Sequence, residues 1–247
     1  MHDKIKVLFL ASDPFHDRAA LRLDEEVRAI GNAIRRGRAR DSVELVSHFA
    51  TRTRDLREAL LQHEPQIVHF AGHGDAPGAI YLGDEDGRPQ PVDCEALRKL
   101  FGLLNDTVRV VVLNGCDTLQ TVEALSEVVD YTVGMNRPIS DDSAIVFAEA
   151  FYSALAMGRN VLAAFELAVC QLELEGNPEA GVPVRRVRRG VNLDLPLVAP
   201  PGEVEADPDK GDDVVFENRL RPSGGESGSQ ISRFGDGGRG FTFRNFG

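Results

Sequence analysis

Val68-His69-Phe70-Ala71-Gly72-His73-Gly74-Asp75 and Val111-Val112-Leu113-Asn114-Gly115-Cys116-Asp117 are the two stretches on which the reading of this chain turns. Each is an apolar run that halts at a glycine beside a reactive side chain. Strands buried on both faces of a parallel sheet read as such continuous runs. A sheet that ended both at one edge would deliver an imidazole and a thiol to the same place. That is the minimum equipment of a cysteine nucleophile with a histidine base.

Working outward, further apolar runs at Val7 to Leu10, Val43 to Phe49 and Tyr131 to Val133 read as strands, with Val191 to Val198 as a final one. Between them lie helical spacings: Leu21, Leu23, Val27, Ile30 and Ile34; Leu56 to Leu61, closed by Pro65; Ala96 to Leu104; and Leu119 to Val128. Ser140 is placed to cap a helix through Phe147, Phe151 and Leu155, and Asn160 to cap another through Leu174. Strands alternating with helices predict an α/β fold, a mostly parallel central sheet with helices on both faces. From Pro200 the pattern fails and glycine crowds in, as in Ser223-Gly224-Gly225-Glu226-Ser227-Gly228. The expected organisation is a domain over 1–199 and a flexible tail over 200–247. Phe234, Phe241, Phe243 and Phe246 make that tail a candidate docking element.

Composition narrows the function. The net charge of −11 argues against a nucleic-acid binder. No apolar stretch is long enough to span a bilayer. Met1-His2-Asp3-Lys4 runs straight into a strand with no signal-peptide core ahead of it. Three widely spaced cysteines make no disulfide framework, so a reducing cytoplasm is expected. Cys94 and Cys170 read as packing residues and His69 as a core or supporting histidine; His2, His16, His48 and His63 read as surface or capping residues. The basic runs Arg35 to Arg40 and Arg185 to Arg189 read as a helix end and a solvated face.

The order and wording of the two stretches carry a resemblance. The histidine comes roughly 40 positions before the cysteine, close to the roughly 50 that separate the pair in caspases. His73-Gly74 after one strand and Asn114-Gly115-Cys116 after another resemble the CHAT branch of the caspase-like peptidases. So do Leu8-Phe9-Leu10-Ala11-Ser12-Asp13-Pro14 with Leu21-Arg22-Leu23-Asp24-Glu25-Glu26, then Tyr81-Leu82-Gly83-Asp84, Val133-Gly134-Met135 and Ile139-Ser140-Asp141-Asp142-Ser143-Ala144. The resemblance runs from about residue 4 to about residue 175, in the family's order. It implies a caspase-like three-layer sandwich and a cysteine endopeptidase of bacterial signalling or antiviral defence, acting on a protein substrate without a cofactor or metal.

Read as a peptidase, the chain would use Cys116 as nucleophile and His73 to manage its proton, since only the thiolate attacks. The resemblance gives the backbone N–H groups of Gly74 and Cys116 the role of holding the oxyanion. Caspase relatives that cut after basic residues line the first pocket with carboxylates, and those that cut after aspartate use arginine. Asp75, Asp117 and Asp142 are the pocket candidates, with Asp141 near the same edge and Asp13 a further candidate to face the site from the end of the first strand; no arginine is evident beside the dyad, Arg137 being the nearest in sequence. A basic P1 residue is therefore expected. Asp141 and Asp142 could equally serve a helix N-terminus. Activity is expected to be gated, as in a zymogen, by a sensor or an upstream protease cutting at Arg186, Arg189 or Arg221.

Two rival readings stand beside this one: a catalytically silent CHAT-like module that binds partners through its tail, and a doubly wound ligand-binding domain in which Cys116 is incidental. Other chemistries fail on spacing. His69 and His73 lack the glutamate of a zincin, and Val122 stands where a tyrosine-phosphatase loop needs arginine. No Gly-Lys-Ser/Thr phosphate loop or metal-ligand cluster occurs in the sequence.

Overall fold

The computed structural model describes residues 4–75, 78–191 and 197, and the backbone of 216–219, 231–234 and 241–246. The chain begins with β1 (Ile5–Ser12), α1 (Leu23–Arg36), β2 (Val43–His48), α2 (Thr53–His63) and β3 (Ile67–Gly72). A small hairpin region follows, with β4 (Gly74–Asp75), β5 (Ala79–Gly83) and β6 (Pro89–Val92). Then come α3 (Cys94–Gly102), β7 (Val110–Asn114), α4 (Leu119–Leu125), β8 (Tyr131–Met135), α5 (Asp141–Ala156), α6 (Val161–Leu174) and β9 (Pro183–Val187).

The central sheet has the order β2-β1-β3-β7-β8-β9, parallel throughout except for β9. Its strands alternate faces with period two. In β1, Val7, Phe9 and Ala11 enter the core built with α1, α5 and α6, while Leu8 and Leu10 enter the core built with α2, α3 and α4. Two apolar cores, one on each side, are what require strands without a polar face. Phe147, Phe151 and Tyr152 of α5 are fully buried against the first face. Burying side chains of this size contributes about 1.5–3 kcal/mol each.

The caps expected for α5 and α6 are present: the Ser140 hydroxyl accepts from Ser143 N–H, and Asn160 Oδ1 accepts from Ala163 N–H at 2.8 Å. Two expectations need correction. The sheet is completed by β9, which takes in the first part of the basic run that reads as a solvated face. Arg185, Arg186 and Arg188 reach sideways to Glu166, Glu123 and Asp130, which allows an arginine-rich segment to serve as an edge strand. The expected strand over 191–198 lies mostly outside the described residues. Cys170, expected to pack, is exposed, and Cys94 is partly buried at the start of α3.

Residues 203–247 make a separate compact unit. Its described backbone forms β10 (Phe216–Arg219), β11 (Ile231–Phe234) and β12 (Phe241–Phe246), with β12 between the other two. The glycine-rich stretch at 223–228, which carries the expectation of flexibility, lies outside the described residues. Among the described residues no helix is long and apolar enough to cross a membrane.

Candidate active site

The chain runs from β1 outward to β2, then returns across β1 to lay down β3, β7 and β8. The reversal opens a crevice at the carboxyl ends of β1 and β3, where open α/β sheets place their ligand sites. Asp13 follows β1 and His73 follows β3 directly. The pairing of β3 with β7 sets Ala71 opposite Asn114, so His73 and Cys116 stand two residues beyond paired positions on neighbouring strands. Both line one narrow cleft, of about 40 Å³.

Close backbone packing brings the two strand ends together. A Cβ on Gly115 would come within 2.8 Å of the Gly72 carbonyl, and one on Gly74 within 2.3 Å of the Cys116 carbonyl. Only glycine admits such approaches. Asp117 then turns the chain with φ 54°, the left-handed region that non-glycine residues occupy at a cost. Fully buried Thr118 secures the turn by donating to the Gly115 carbonyl at 3.2 Å and accepting from Met135 N–H at 2.9 Å.

His73 is held on two sides. Its Nε2 lies 3.1 Å from Asp13 Oδ1, and its ring meets the Phe15 ring edge-on at 5.0 Å. Asp13 is itself fixed, since Oδ2 accepts from Leu21 N–H at 3.0 Å. With Nε2–H given to the carboxylate, Nδ1 is the nitrogen left to exchange a proton with a thiol.

Behind the cleft lies a buried polar network. Glu26 of α1 is 4% exposed, and its Oε1 accepts from His69 Nε2–H at 2.8 Å and from Asn114 Nδ2–H at 2.5 Å. His69 is fully buried in β3 and pairs through Nδ1 with the Tyr152 hydroxyl at 3.1 Å. Burial, followed by the nearby Glu26 carboxylate, holds the Tyr152 hydroxyl well above the ordinary tyrosine range. Glu26 and Asn114 also line the cleft, with Arg22 and Asp141. Arg22 spends its guanidinium on Glu25 and Asp142, and its backbone N–H donates to Asp141 Oδ2 at 3.0 Å.

The cleft gathers only part of the expected set. His73 and Cys116 line it; Asp75, Asp117 and Asp142 do not. Asp142 is 81% exposed and ion-paired to Arg22, while Asp75 accepts from the Tyr81 hydroxyl at 2.6 Å on β4. That bond, reinforced by burial, pushes the Tyr81 hydroxyl up. The carboxylates on the wall are Asp141 and Glu26, and an arginine, Arg22, stands beside the dyad where none was evident in sequence. One signal for Glu26 exists in the sequence: it falls on the apolar stripe of α1, three residues after Leu23 and four before Ile30. Arg186 sits within β9 opposite Thr132, Arg189 in an exposed turn just beyond, and Arg221 outside the described residues.

The family model of the CHAT domain matches residues 9–180 of this chain. A Roc-COR-CHAT protease of an unknown prokaryotic organism is 22% identical over 183 residues, 71% of this chain and 17% of that protein. A probable protease of Gillisia limnaea is 18% identical over 154 residues, 62% of this chain and 27% of that protein. The chain thus spans only a minor part of either relative. Among solved structures, caspase-1 of Spodoptera frugiperda superposes with a TM-score of 0.50 at 10% identity, covering 75% of this chain and 86% of that one. The fold is therefore caspase-like, a sandwich of a mostly parallel sheet between two helical layers.

Proposed function

This chain belongs to the CHAT-domain family, and from that membership we propose that it is a cysteine endopeptidase working through a Cys116–His73 dyad. The observation that carries the reading is the shared cleft: the two side chains stand at the ends of adjacent parallel strands, with Asp13 holding the imidazole.

In this mechanism His73 takes the Cys116 proton and the thiolate attacks the scissile carbonyl carbon. The C–S bond forms as the carbonyl electrons move to oxygen, where the N–H groups of Gly74 and Cys116 receive the negative charge. His73 then gives its proton to the leaving nitrogen and the C–N bond breaks. Water, deprotonated by the same imidazole, hydrolyses the thioester and restores the thiol. Such acid–base assistance contributes about 10²–10⁴ in rate. Asp13 is the positioning residue that keeps Nδ1 toward the sulfur and stabilises the imidazolium.

The substrate class is a protein cut after a basic residue. Asp141 and Glu26 on the cleft wall, with Arg22 already neutralised by two carboxylates, leave the cleft an excess of negative charge. Gating by a sensor or an upstream protease in a bacterial signalling or defence pathway fits the narrowness of the cleft and the much greater length of the relatives. Of the described cleavage candidates, Arg189 in its exposed turn is better presented to a protease than Arg186 within the sheet.

The test is a peptide library incubated with wild type and with Cys116→Ala, before and after trace trypsin, and read by mass spectrometry. Cleavage after lysine or arginine that disappears in the variant supports the reading. Activity only after trypsin adds the zymogen gate. Identical products in wild type and variant would overturn the peptidase; silence before and after trypsin would favour the silent binding module over it.

A further inference from the structure

We propose that Glu179 is a positioning residue of this site: its carboxylate, reaching in from the loop between α6 and β9, fixes the wall of the cleft against which a peptide substrate binds. The inference rests on the peptidase reading above and adds to it a residue that does not itself line the cleft.

The wall comes from one short stretch. Ile139, Asp141, Ala144 and Ile145 share the cleft with His73 and Cys116. The chain reaches them from the end of β8 through residues 136–138, which are exposed. A segment with so little buried surface has to be fixed from outside itself if it is to receive a substrate in one arrangement.

Glu179 supplies that restraint with both oxygens. The Ser140 N–H is shared between Oε1 and Oε2, 3.2 Å from each, and Oε2 also accepts from the Ser140 and Ser143 hydroxyls. Asn177, in the same loop, completes the arrangement. Its Nδ2–H donates to the buried Ser143 hydroxyl at 2.8 Å, and its Oδ1 accepts from Glu179 N–H at 2.8 Å. From the other side, the Asn136 and Arg137 side chains donate to the carbonyls of Gly181 at 3.3 Å and Pro178 at 3.4 Å. The loop closes round residues 136–143 as a clasp.

The clasp is built for a charge. Burial alone would raise the Glu179 pKa, but the Ser140 and Ser143 donors outweigh it and hold the carboxyl below the usual carboxylate range. An ionised carboxylate at the first turn of α5 also meets the positive end of a sixteen-residue helix. Its loss should loosen the wall and leave the chemistry of the thiol alone.

The experiment uses the full chain, with and without prior trace trypsin, and two alkylating probes. A peptidyl chloromethyl ketone with arginine at P1 needs both the wall and the thiol; iodoacetamide needs the thiol alone. Labelling of Cys116 is read by peptide mapping, which separates it from exposed Cys170. In Glu179→Gln the ketone concentration for half-maximal rate is expected to rise about tenfold, the worth of ordering one or two side chains on binding. The maximal rate and the iodoacetamide rate are expected to stay within about twofold of wild type, since neither depends on substrate affinity. Glu173→Gln, which removes an equal charge from an exposed position on α6, is expected to alter none of the three. An unchanged half-saturation in Glu179→Gln means that the clasp does not reach the substrate, and a lower one means that it holds the cleft shut; either overturns the inference. Equal loss with both probes overturns it too, since Glu179 then only supports the fold. Should Glu179→Gln not fold, Glu179→Asp withdraws the carboxylate by one methylene and is judged by the same outcomes. A wild type labelled by iodoacetamide but by the ketone in neither form would instead bring down the peptidase reading and this inference with it.

Discussion

Asp13 and His73 meet across the crevice between β1 and β3, Oδ1 to Nε2 at 3.1 Å, although sixty positions separate them in the chain. The carboxylate's other oxygen is tied to the Leu21 amide, so it cannot swing away from the ring. In the proposed mechanism this pairing leaves Nδ1 as the nitrogen for proton transfer.

Asp13→Asn keeps the shape and removes the charge. The amide can present its NH2 to Nε2 and so favour the wrong tautomer. We expect kcat for peptide cleavage to fall by about 10²–10⁴ with KM little changed, because the loss is of proton transfer in the transition state. Steady-state kinetics with a basic-P1 peptide, alongside a melting curve to show the fold intact, measures it.

Gly74→Ala addresses the backbone. The added methyl would meet the Cys116 carbonyl oxygen at 2.3 Å, and that oxygen belongs to main chain that cannot rotate aside. Stability should fall by about 1–3 kcal/mol, as for other overpacked sites. Because the same shift displaces the N–H proposed to hold the oxyanion, kcat should fall by about 10²–10³. Denaturant melts and peptide kinetics on the same preparation separate the two effects.

Asp142→Asn tests the mouth of the cleft. Asp142 binds Arg22, joining the starts of α1 and α5 beside the dyad. The pair is largely exposed, so its loss should change stability by less than about 1 kcal/mol. With that carboxylate neutralised, Arg22 stands less compensated beside the cleft, so kcat/KM for a basic-P1 peptide should fall. An unchanged value would mean that the charge of this pair does not reach the substrate.

His48 and His63 join the end of β2 to the end of α2, with Nε2 atoms 3.1 Å apart. Burial lowers the His63 pKa below the usual histidine value, and the charges of His48 and Lys6 lower it further. A base depressed in the folded state binds fewer protons there than when unfolded. Stability is therefore full above the ordinary histidine value, about 6.5, and is lost as pH falls below it. The melting temperature should drop between about pH 7 and pH 5. His48→Gln, which removes one of the repelling charges, should flatten that drop.

Much of this was legible in the sequence for identifiable reasons. Buried parallel strands announce themselves as unbroken apolar runs, so β1, β3 and β7 are found where Val7 to Leu10 and the apolar runs that open at Val68 and Val111 predict them. Ser140 and Asn160 mark helix starts because capping is a local hydrogen bond. β9 was harder, since an arginine-rich strand is made tolerable by Glu123, Glu166 and Asp130 from distant segments. The hairpin β4–β6 was missed because its strands are too short to show a period.

For the site, the sequence by itself determined the candidate dyad, His73 and Cys116, and the glycines beside them, because each lies in one contiguous word whose meaning is local. The tertiary structure alone decided what surrounds them. Asp13, Glu26 and Arg22 stand beside Asn114, Cys116 and Asp141 only because β1 lies against β3, β3 lies against β7, and α1 packs on α5. Asp141 and Asp142 are neighbours in sequence, yet one lines the cleft and the other faces solvent, since successive residues on a helix point in directions about 100° apart. A carboxylate's role depends on which way it points and what it meets, and both are settled by packing between segments far apart in the chain.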